Sequence, residues 1–242
     1  VAAELAGKVA LLTGVGRVGQ IGHAVAQAFG AAGARLLLVD RDVPSVTARG
    51  AELRAAGVDA RVATGDLTQP DAARAAVALA RRELGGLDLA VNLAGGLTTF
   101  GSFLDTKPEA FERELAINLK TTWYVSQAVI PALIERGGGS IVNFASIALV
   151  RPGARLAAYA AAKGAVAGLT QVLAKEFVAQ GVRVNAVAPS AVRTTTNQAD
   201  MGSNPDTPYV EMDDIVRVVL FLASDAARGL TGQIIPVTGK AL

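Results

Sequence analysis

The chain has 242 residues, 51% of them apolar and 18% charged, with a formal net charge of +2. That near-neutral balance, without a Lys/Arg cluster, argues against a nucleic-acid surface. With no Cys and a single His, thiolate nucleophiles, disulfide frameworks, His-based triads and Cys/His metal sites drop out. No apolar run reaches the length of a membrane span and no signal-like segment opens the chain. The expectation is therefore a cytoplasmic single-domain α/β protein over residues 1–242, with no metal and no membrane or nucleic-acid partner.

In chain order, a strand is predicted over Lys8–Thr13. It runs into TGVGRVGQIG and a helix over Ile21–Ala32. Gly14 makes the turn after the strand, and Gly22 lets helix and strand approach. Gly16 and Gly19, with Gln20 and Ile21, leave backbone N–H groups and a helix N-terminus open to a pyrophosphate. A merely flexible turn is the alternative. The second strand, Arg35–Val39, ends at Asp40, eighteen residues past Gly22 and near the ~20 expected of the acid that binds an adenosine ribose. A carboxylate there favours NAD. Arg41 and Arg17 offset repulsion of a 2′-phosphate, so NADP stays open, as does a plain turn or cap role for Asp40.

A helix over Pro44–Ala56 leads to a third strand, Ala60–Thr64, and then Asp66-Leu67. Asp66 either meets an adenine or leads into a cap at Thr68. Thr68-Gln-Pro-Asp71 and Thr106-Lys-Pro-Glu109 have capping-box spacing with a proline in the first turn, opening helices over Asp71–Leu84 and Pro108–Arg136. Between these lies a strand over Leu87–Asn92. It is followed by Asn92-Leu93-Ala94-Gly95-Gly96, small residues where a cofactor can pass close to backbone. Pro131 bends the long helix or marks its last turns. Further strands are predicted over Ser140–Ala145, Arg183–Val187 and Gln233–Val237, and helices over Leu156–Gln180 and Asp213–Ala223. Pro236 marks the last strand as an edge. The alternation implies a parallel sheet covered on both faces.

The stretch SIALVRPGARLAAYAAAK, Ser146 to Lys163, concentrates the chemistry. Tyr159 and Lys163 are four apart and share a helix face, and Ser146 lies at the mouth of a strand. Without Cys, and with one His, acid–base catalysis falls to Tyr, Lys, Asp or Glu. Bringing a phenol from ~10 to near 7 takes about 4 kcal/mol. A cation at ~4 Å in an effective dielectric of ~20 supplies about that much. The expectation is that Lys163 lowers the pKa of Tyr159. An exposed pair on an ordinary amphipathic helix is the alternative.

Taken together, the TG…IG loop, Asp66-Leu67, Asn92-Leu93-Ala94-Gly95, Asn118, Ser146, Tyr159-x-x-x-Lys163 and Pro189 resemble a short-chain dehydrogenase/reductase along nearly the whole chain. The resemblance implies a Rossmann-type doubly wound parallel seven-stranded sheet flanked by helices, of order 3-2-1-4-5-6-7. It implies hydride transfer between a nicotinamide and a small-molecule carbonyl or secondary alcohol, a 3-oxoacyl compound being one option. The implied catalytic set is Asn118, Ser146, Tyr159 and Lys163. Tyr159 is the acid–base, Lys163 holds the nicotinamide ribose, Ser146 binds the reacting oxygen and Asn118 supports a proton relay. Cofactor contacts carry onto Gly14, Gly16, Gly19, Gln20, Ile21, Asp40, Arg41, Asp66, Leu67, Asn92, Ala94, Gly95, Tyr159, Lys163, Pro189, Val192 and Thr194. Relatives are homotetramers or homodimers, and the Ala-rich helix carrying Tyr159 is compatible with close pairing.

The chain also departs from the family pattern. The glycine loop is two residues longer than usual, with Gln20 in place of its second glycine, and in length it resembles that of enoyl-acyl-carrier-protein reductases. Their tyrosine and lysine, however, are further apart than Tyr159 and Lys163. Leu93 replaces an asparagine, Ser190 a glycine, and Thr238-Gly239-Lys240 lacks a double glycine. The polar segment 195–209 reads as a mobile or truncated substrate lid. A catalytically weak nucleotide-binding sensor or scaffold, and an enoyl reductase, remain the alternatives.

Overall fold

Strand β1 (Val9–Thr13) is buried at every position, as a strand covered on both faces requires. Around it β2 (Arg35–Asp40), β3 (Ala60–Thr64), β4 (Leu89–Asn92), β5 (Gly139–Phe144), β6 (Val182–Pro189) and β7 (Ile234–Val237) form one parallel sheet. Its order is β3-β2-β1-β4-β5-β6-β7. The computed structural model describes residues 4–204 and 207–239. β7 lies at the edge, where the missing N–H of Pro236 disturbs the ladder least.

The period-two alternation of each strand divides the core. Leu36 and Leu38 face the layer of α1 (Ile21–Ala31), α2 (Val43–Ala55) and a C-terminal helix over Met212–Ala223, through Phe29, Val46 and Val219. Leu37 and Val39 face α3 (Pro70–Leu84) and a helix over Thr121–Glu135, through Val77 and Val129. The order reverses on either side of β1. A crevice therefore opens beyond the C-terminal ends of β1 and β4, where such sheets bind ligands.

Three local expectations change. The long helix predicted over Pro108–Arg136 is interrupted: α4 (Pro108–Leu115) passes through a π-helical turn, Ala116–Lys120, into α5 (Thr121–Glu135). Such turns cluster at functional sites. Neither capping box forms. Pro70 and Pro108 take the first helical positions, which makes Gln69 and Lys107 the N-caps. The threonines are displaced by one residue: Thr68 bonds Asp66, and Thr106 bonds the Ser102 carbonyl. Finally, the expected mobile lid opens with a helix, α7 (Thr195–Met201), after α6 (Ala157–Phe177) and β6 and before α8 (Met212–Ala223). Residues 205–206 of that segment, and Lys240 of the final turn, lie outside the described residues.

Candidate active site

The crevice begins at the glycine loop. Gly14 turns the chain at φ +68°, and a Cβ there would sit 2.8 Å from the Ala94 Cα. A Cβ on Gly22 would sit 2.1 Å from the Gly14 carbonyl, so α1 packs directly on the end of β1. Thr13 ties the opposite side, its hydroxyl accepting from the N–H groups of Leu93 and Ala94, each at 3.0 Å. The N-cap of α1, Gln20, makes no side-chain cap, so the first N–H groups beyond Ile21 keep their capacity for an anion. Asp40 closes this end. Its carboxylate accepts from the Gly16 N–H at 2.9 Å and the Asp42 N–H at 3.1 Å. It is thereby aimed beside the loop, with Arg41 exposed next to it.

Gln20 instead reaches across to α7. Its Nε2 donates to Thr195 Oγ1 at 2.6 Å and Thr196 Oγ1 at 3.0 Å, while the Thr195 N–H donates to the Gly19 carbonyl at 3.1 Å. Any side chain on Gly19 would strike Thr195, with only 2.4 Å to its methyl. Val192 and Thr194 anchor the base of this segment. Val192 is buried and bridges to Val210, and Thr194 caps α7 by accepting from the Asn197 N–H. Tyr209 donates to the carbonyls of Asn197 and Gly202 and stacks under Arg193. Gln20, Gly19, Thr195 and Thr196 thus tie the start of the segment to the glycine loop.

Beyond β4 and β5 lie Ser146, Tyr159 and Lys163, the residues expected to carry acid–base chemistry. Ser146 follows β5 and is buried, its hydroxyl accepting from the Ala148 N–H. Tyr159 is hydrogen-bonded to Ser146. Lys163, one turn along α6, is only 6% exposed. Its Nζ donates to the Phe144 carbonyl at 2.8 Å and lies 5.9 Å from the Tyr159 ring centre.

The electrostatics overturn one expectation. Burial pushes Lys163 down to about 8, against a smaller supporting pull from the Glu114 carboxylate. Tyr159 goes up, not down. Burial of its hydroxyl raises it most, the Ser146 bond offsets part of that, and the charge of Glu114 raises it further. The Lys163 Nζ is bonded to the Phe144 carbonyl, and burial of the phenol outweighs what lowers it. Without ligand, Tyr159 is therefore a proton-bearing acid.

Asn118 occupies the π turn and is fully buried. Its Oδ1 accepts from the Gly96 N–H at 3.0 Å, and its Nδ2 donates to the Gly96 carbonyl at 2.9 Å and to Glu114. Side chain and loop backbone are clamped together, which fixes the segment after β4 beside Tyr159. Two residues assigned to the cofactor also bond within the protein. Asn92 turns into the core, where its amide donates to Asn143 of β5 and Ser126 of α5. Asp66 is exposed and accepts from the N–H and hydroxyl of Thr68 through Oδ1. Leu67 is buried against α3. His23 pairs with Glu52 across α1 and α2 and serves packing.

The sequence reading missed Glu114 and Thr98. Glu114 is fully buried and accepts from the N–H and hydroxyl of Thr98 and the amide of Asn118. The available signal was its position, a carboxylate one helical turn before Asn118.

A nicotinamide dinucleotide fits these residues on structural grounds. The α1 N-terminus is uncapped, Asp40 is aimed beside it, and Ser190 Oγ, just past Pro189, is enclosed without a hydrogen-bond partner among the described residues. When bound, such a cofactor supplies or accepts a hydride. The residues placed to hold it are Gly16 to Ile21, Asp40, Ala94, Gly95, Lys163 and the Pro189–Thr194 turn.

Comparison with known proteins agrees with this arrangement. A family profile described as "Enoyl-(Acyl carrier protein) reductase" matches residues 14–239. 2-(S)-hydroxypropyl-CoM dehydrogenase 3 of Xanthobacter autotrophicus is 34% identical over 98% of this chain and 97% of its own length. A short-chain type dehydrogenase/reductase of Mycobacterium ulcerans superposes with a TM-score of 0.92 at 32% identity, covering 98% of this chain and 90% of that one. NAD+-bound xylitol dehydrogenase superposes with a TM-score of 0.89 at 31% identity, covering 97% of this chain and 99% of that one.

Proposed function

This chain belongs to the short-chain dehydrogenase/reductase family, and we propose that it is an NAD(H)-preferring enzyme reducing a ketone with an apolar body to a secondary alcohol. Oxidoreduction of CH–OH/C=O groups with a nicotinamide cofactor is the activity of the family; the direction, cofactor preference and substrate class are the proposal. The observation that carries it is the Ser146–Tyr159 hydrogen bond with Lys163 sealed behind it at the Phe144 carbonyl.

In reduction, Ser146 donates a hydrogen bond to the carbonyl oxygen. Tyr159 delivers its phenolic proton to that oxygen as the C=O π bond opens and the carbonyl carbon gains its new C–H bond. The tyrosinate left behind is stabilised by the Lys163 ammonium and reprotonated from solvent. Alcohol oxidation is the reverse and needs the ionised phenol first, which burial and Glu114 oppose. Asp40 supports the NAD preference, since its carboxylate repels a 2′-phosphate. An apolar substrate body is supported by the exposed Leu97, Phe100, Phe103 and Leu104 after β4 and Val150 after β5. Arg155 stacks over Phe100 at 5.0 Å, and its carbonyl accepts from the Gly101 N–H, so the two loops are joined beside the site.

A panel of ketones, 3-oxoacyl thioesters and the corresponding alcohols, run with NADH, NADPH and their oxidised forms, tests this reading. With a substrate in hand, Tyr159→Phe is expected to lower kcat by ~10³-fold or more while NADH binding persists; turnover within a few-fold of wild type would remove Tyr159 from the mechanism. Enoyl reduction is the second reading, favoured by the description of the matching family profile and by the loop length. The four-residue Tyr159–Lys163 spacing opposes it, and activity confined to 2-enoyl thioesters would establish it.

We also propose a homo-oligomer. A groove between α5 and α6 exposes Trp123, Ile134 and Val172 beside Pro131, a face suited to a second copy of the chain. Light scattering at micromolar concentration checks this, and a monomer there refutes it.

A further inference from the structure

Threonines inside the helices of this chain return their hydroxyl protons to the carbonyl four residues back: Thr121 to Ile117 at 2.8 Å, Thr122 to Asn118 at 3.1 Å and Thr170 to Val166 at 2.8 Å. Thr195 and Thr196 open α7, so no helical carbonyl lies one turn back for them. Both are exposed. Their hydroxyl oxygens instead accept from Gln20 Nε2, at 2.6 and 3.0 Å. A hydroxyl that accepts still has a proton to give, and among the described residues neither of these two donates a hydrogen bond. Gln20 therefore holds two unused donors at the edge of the glycine loop. The Thr195 N–H, bonded to the Gly19 carbonyl at 3.1 Å, fixes the same place. Gln20 is also the N-cap of α1, whose first N–H groups have no capping side chain. Uncapped N–H groups and free hydroxyls thus meet at one residue, a donor-rich setting that suits an anion.

We propose that Thr195 and Thr196 are phosphate-binding residues of the cofactor cleft, donating their hydroxyl protons to the pyrophosphate that the glycine loop and the α1 N-terminus receive. Gln20, which stands where the family pattern has a glycine, presets the two hydroxyls in the ligand-free protein. A hydrogen bond to a charged oxygen is about twice as strong as a neutral one, so these donors favour the dinucleotide over water. The same bonds make the cofactor part of what orders α7, the start of the segment 195–209. The inference rests on the dinucleotide reading of the cleft and is independent of substrate and of the direction of reaction.

The test measures binding of ADP-ribose, which carries the pyrophosphate and no nicotinamide, by isothermal titration calorimetry. At Thr195, valine keeps the methyl that lies against Gly19 and removes the hydroxyl, and serine does the reverse. Thr195→Val and Thr196→Val are each expected to weaken ADP-ribose ~5-fold, and the double variant ~20-fold or more. Thr195→Ser is expected to stay within ~2-fold of wild type; a loss equal to that of Thr195→Val would mean that packing, not the hydroxyl, is at work. Amide hydrogen exchange in α7 separates phosphate binding from a purely structural tie. Gln20→Ala keeps both hydroxyls, so its α7 is expected to exchange fast without ligand and to slow again when ADP-ribose saturates the protein. In the double valine variant, saturating ADP-ribose is expected to leave α7 fast. Unchanged affinity in the double variant, or ADP-ribose that slows α7 equally in both variants, overturns the proposal. A wild type that binds no ADP-ribose would defeat the dinucleotide reading itself, whereas tight binding that ignores the threonines defeats this inference alone.

Discussion

Replacing Lys163 by Met is expected to abolish most activity and, at neutral pH, to make the protein more stable. Burial lowers this lysine from 10.5 to about 8. At ~1.36 kcal/mol per pH unit, keeping the ammonium charged in the fold costs about 3 kcal/mol relative to the unfolded chain. The attraction of Glu114 is already contained in that value. Methionine is unbranched, of similar length and without charge, and it gives up one hydrogen bond, Nζ to the Phe144 carbonyl at 2.8 Å, worth about 1 kcal/mol. The net gain at pH 7 is about 2 kcal/mol, or ~5 °C in Tm for a chain of this size.

The sign of the pH dependence follows from a folded pKa below the unfolded one. The cost is complete below pH 8 and shrinks as pH rises toward 10.5, where the unfolded lysine also loses its proton. At about pH 9.5 wild type therefore recovers about 2 kcal/mol relative to Lys163→Met, and the two melt together. Thermal melts by circular dichroism at the two pH values, without cofactor, measure the difference. A variant less stable than wild type at pH 7, or a gap that ignores pH, would refute a buried-charge penalty at this residue.

Two further substitutions probe the cofactor end. Asp40→Ser removes the carboxylate held by the Gly16 and Asp42 N–H groups and is expected to raise the NADPH-to-NADH ratio of kcat/KM by ~10-fold or more; steady-state kinetics with both cofactors check it, and an unchanged ratio would show that Asp40 does not discriminate. Gln20→Ala breaks the bonds to Thr195 and Thr196. It is expected to raise the cofactor KM by ~5-fold with kcat nearly unchanged, and to speed amide hydrogen exchange in α7. Exchange as slow as in wild type would mean that Gln20 does not hold the segment.

Much of the arrangement was legible in the chain because it depends on local pattern. The short apolar runs located all seven strands within two residues of their ends, and Pro236 placed β7 at an edge. Gly14 and Gly22 could be assigned because only a missing Cβ permits α1 to lie on the turn. The π turn at Asn118 was not legible, since the residues 108–136 read as one continuous helical pattern. Nor was α7: TTNQADM is polar and turn-like by composition, and its order comes from Thr194, Gln20 and Tyr209, which meet only in the fold.

The sequence by itself put a phenol and an amine on one helix face, through the four-residue step from Tyr159 to Lys163. Only the tertiary structure decided their protonation. That depends on through-space charge and on exclusion of water, and the carboxylate that influences both, Glu114, arrives from a different helix. A spacing argument made Lys163 the source of an ionised Tyr159. Burial, reinforced by the charge of Glu114, instead raises the Tyr159 hydroxyl and keeps its proton in place.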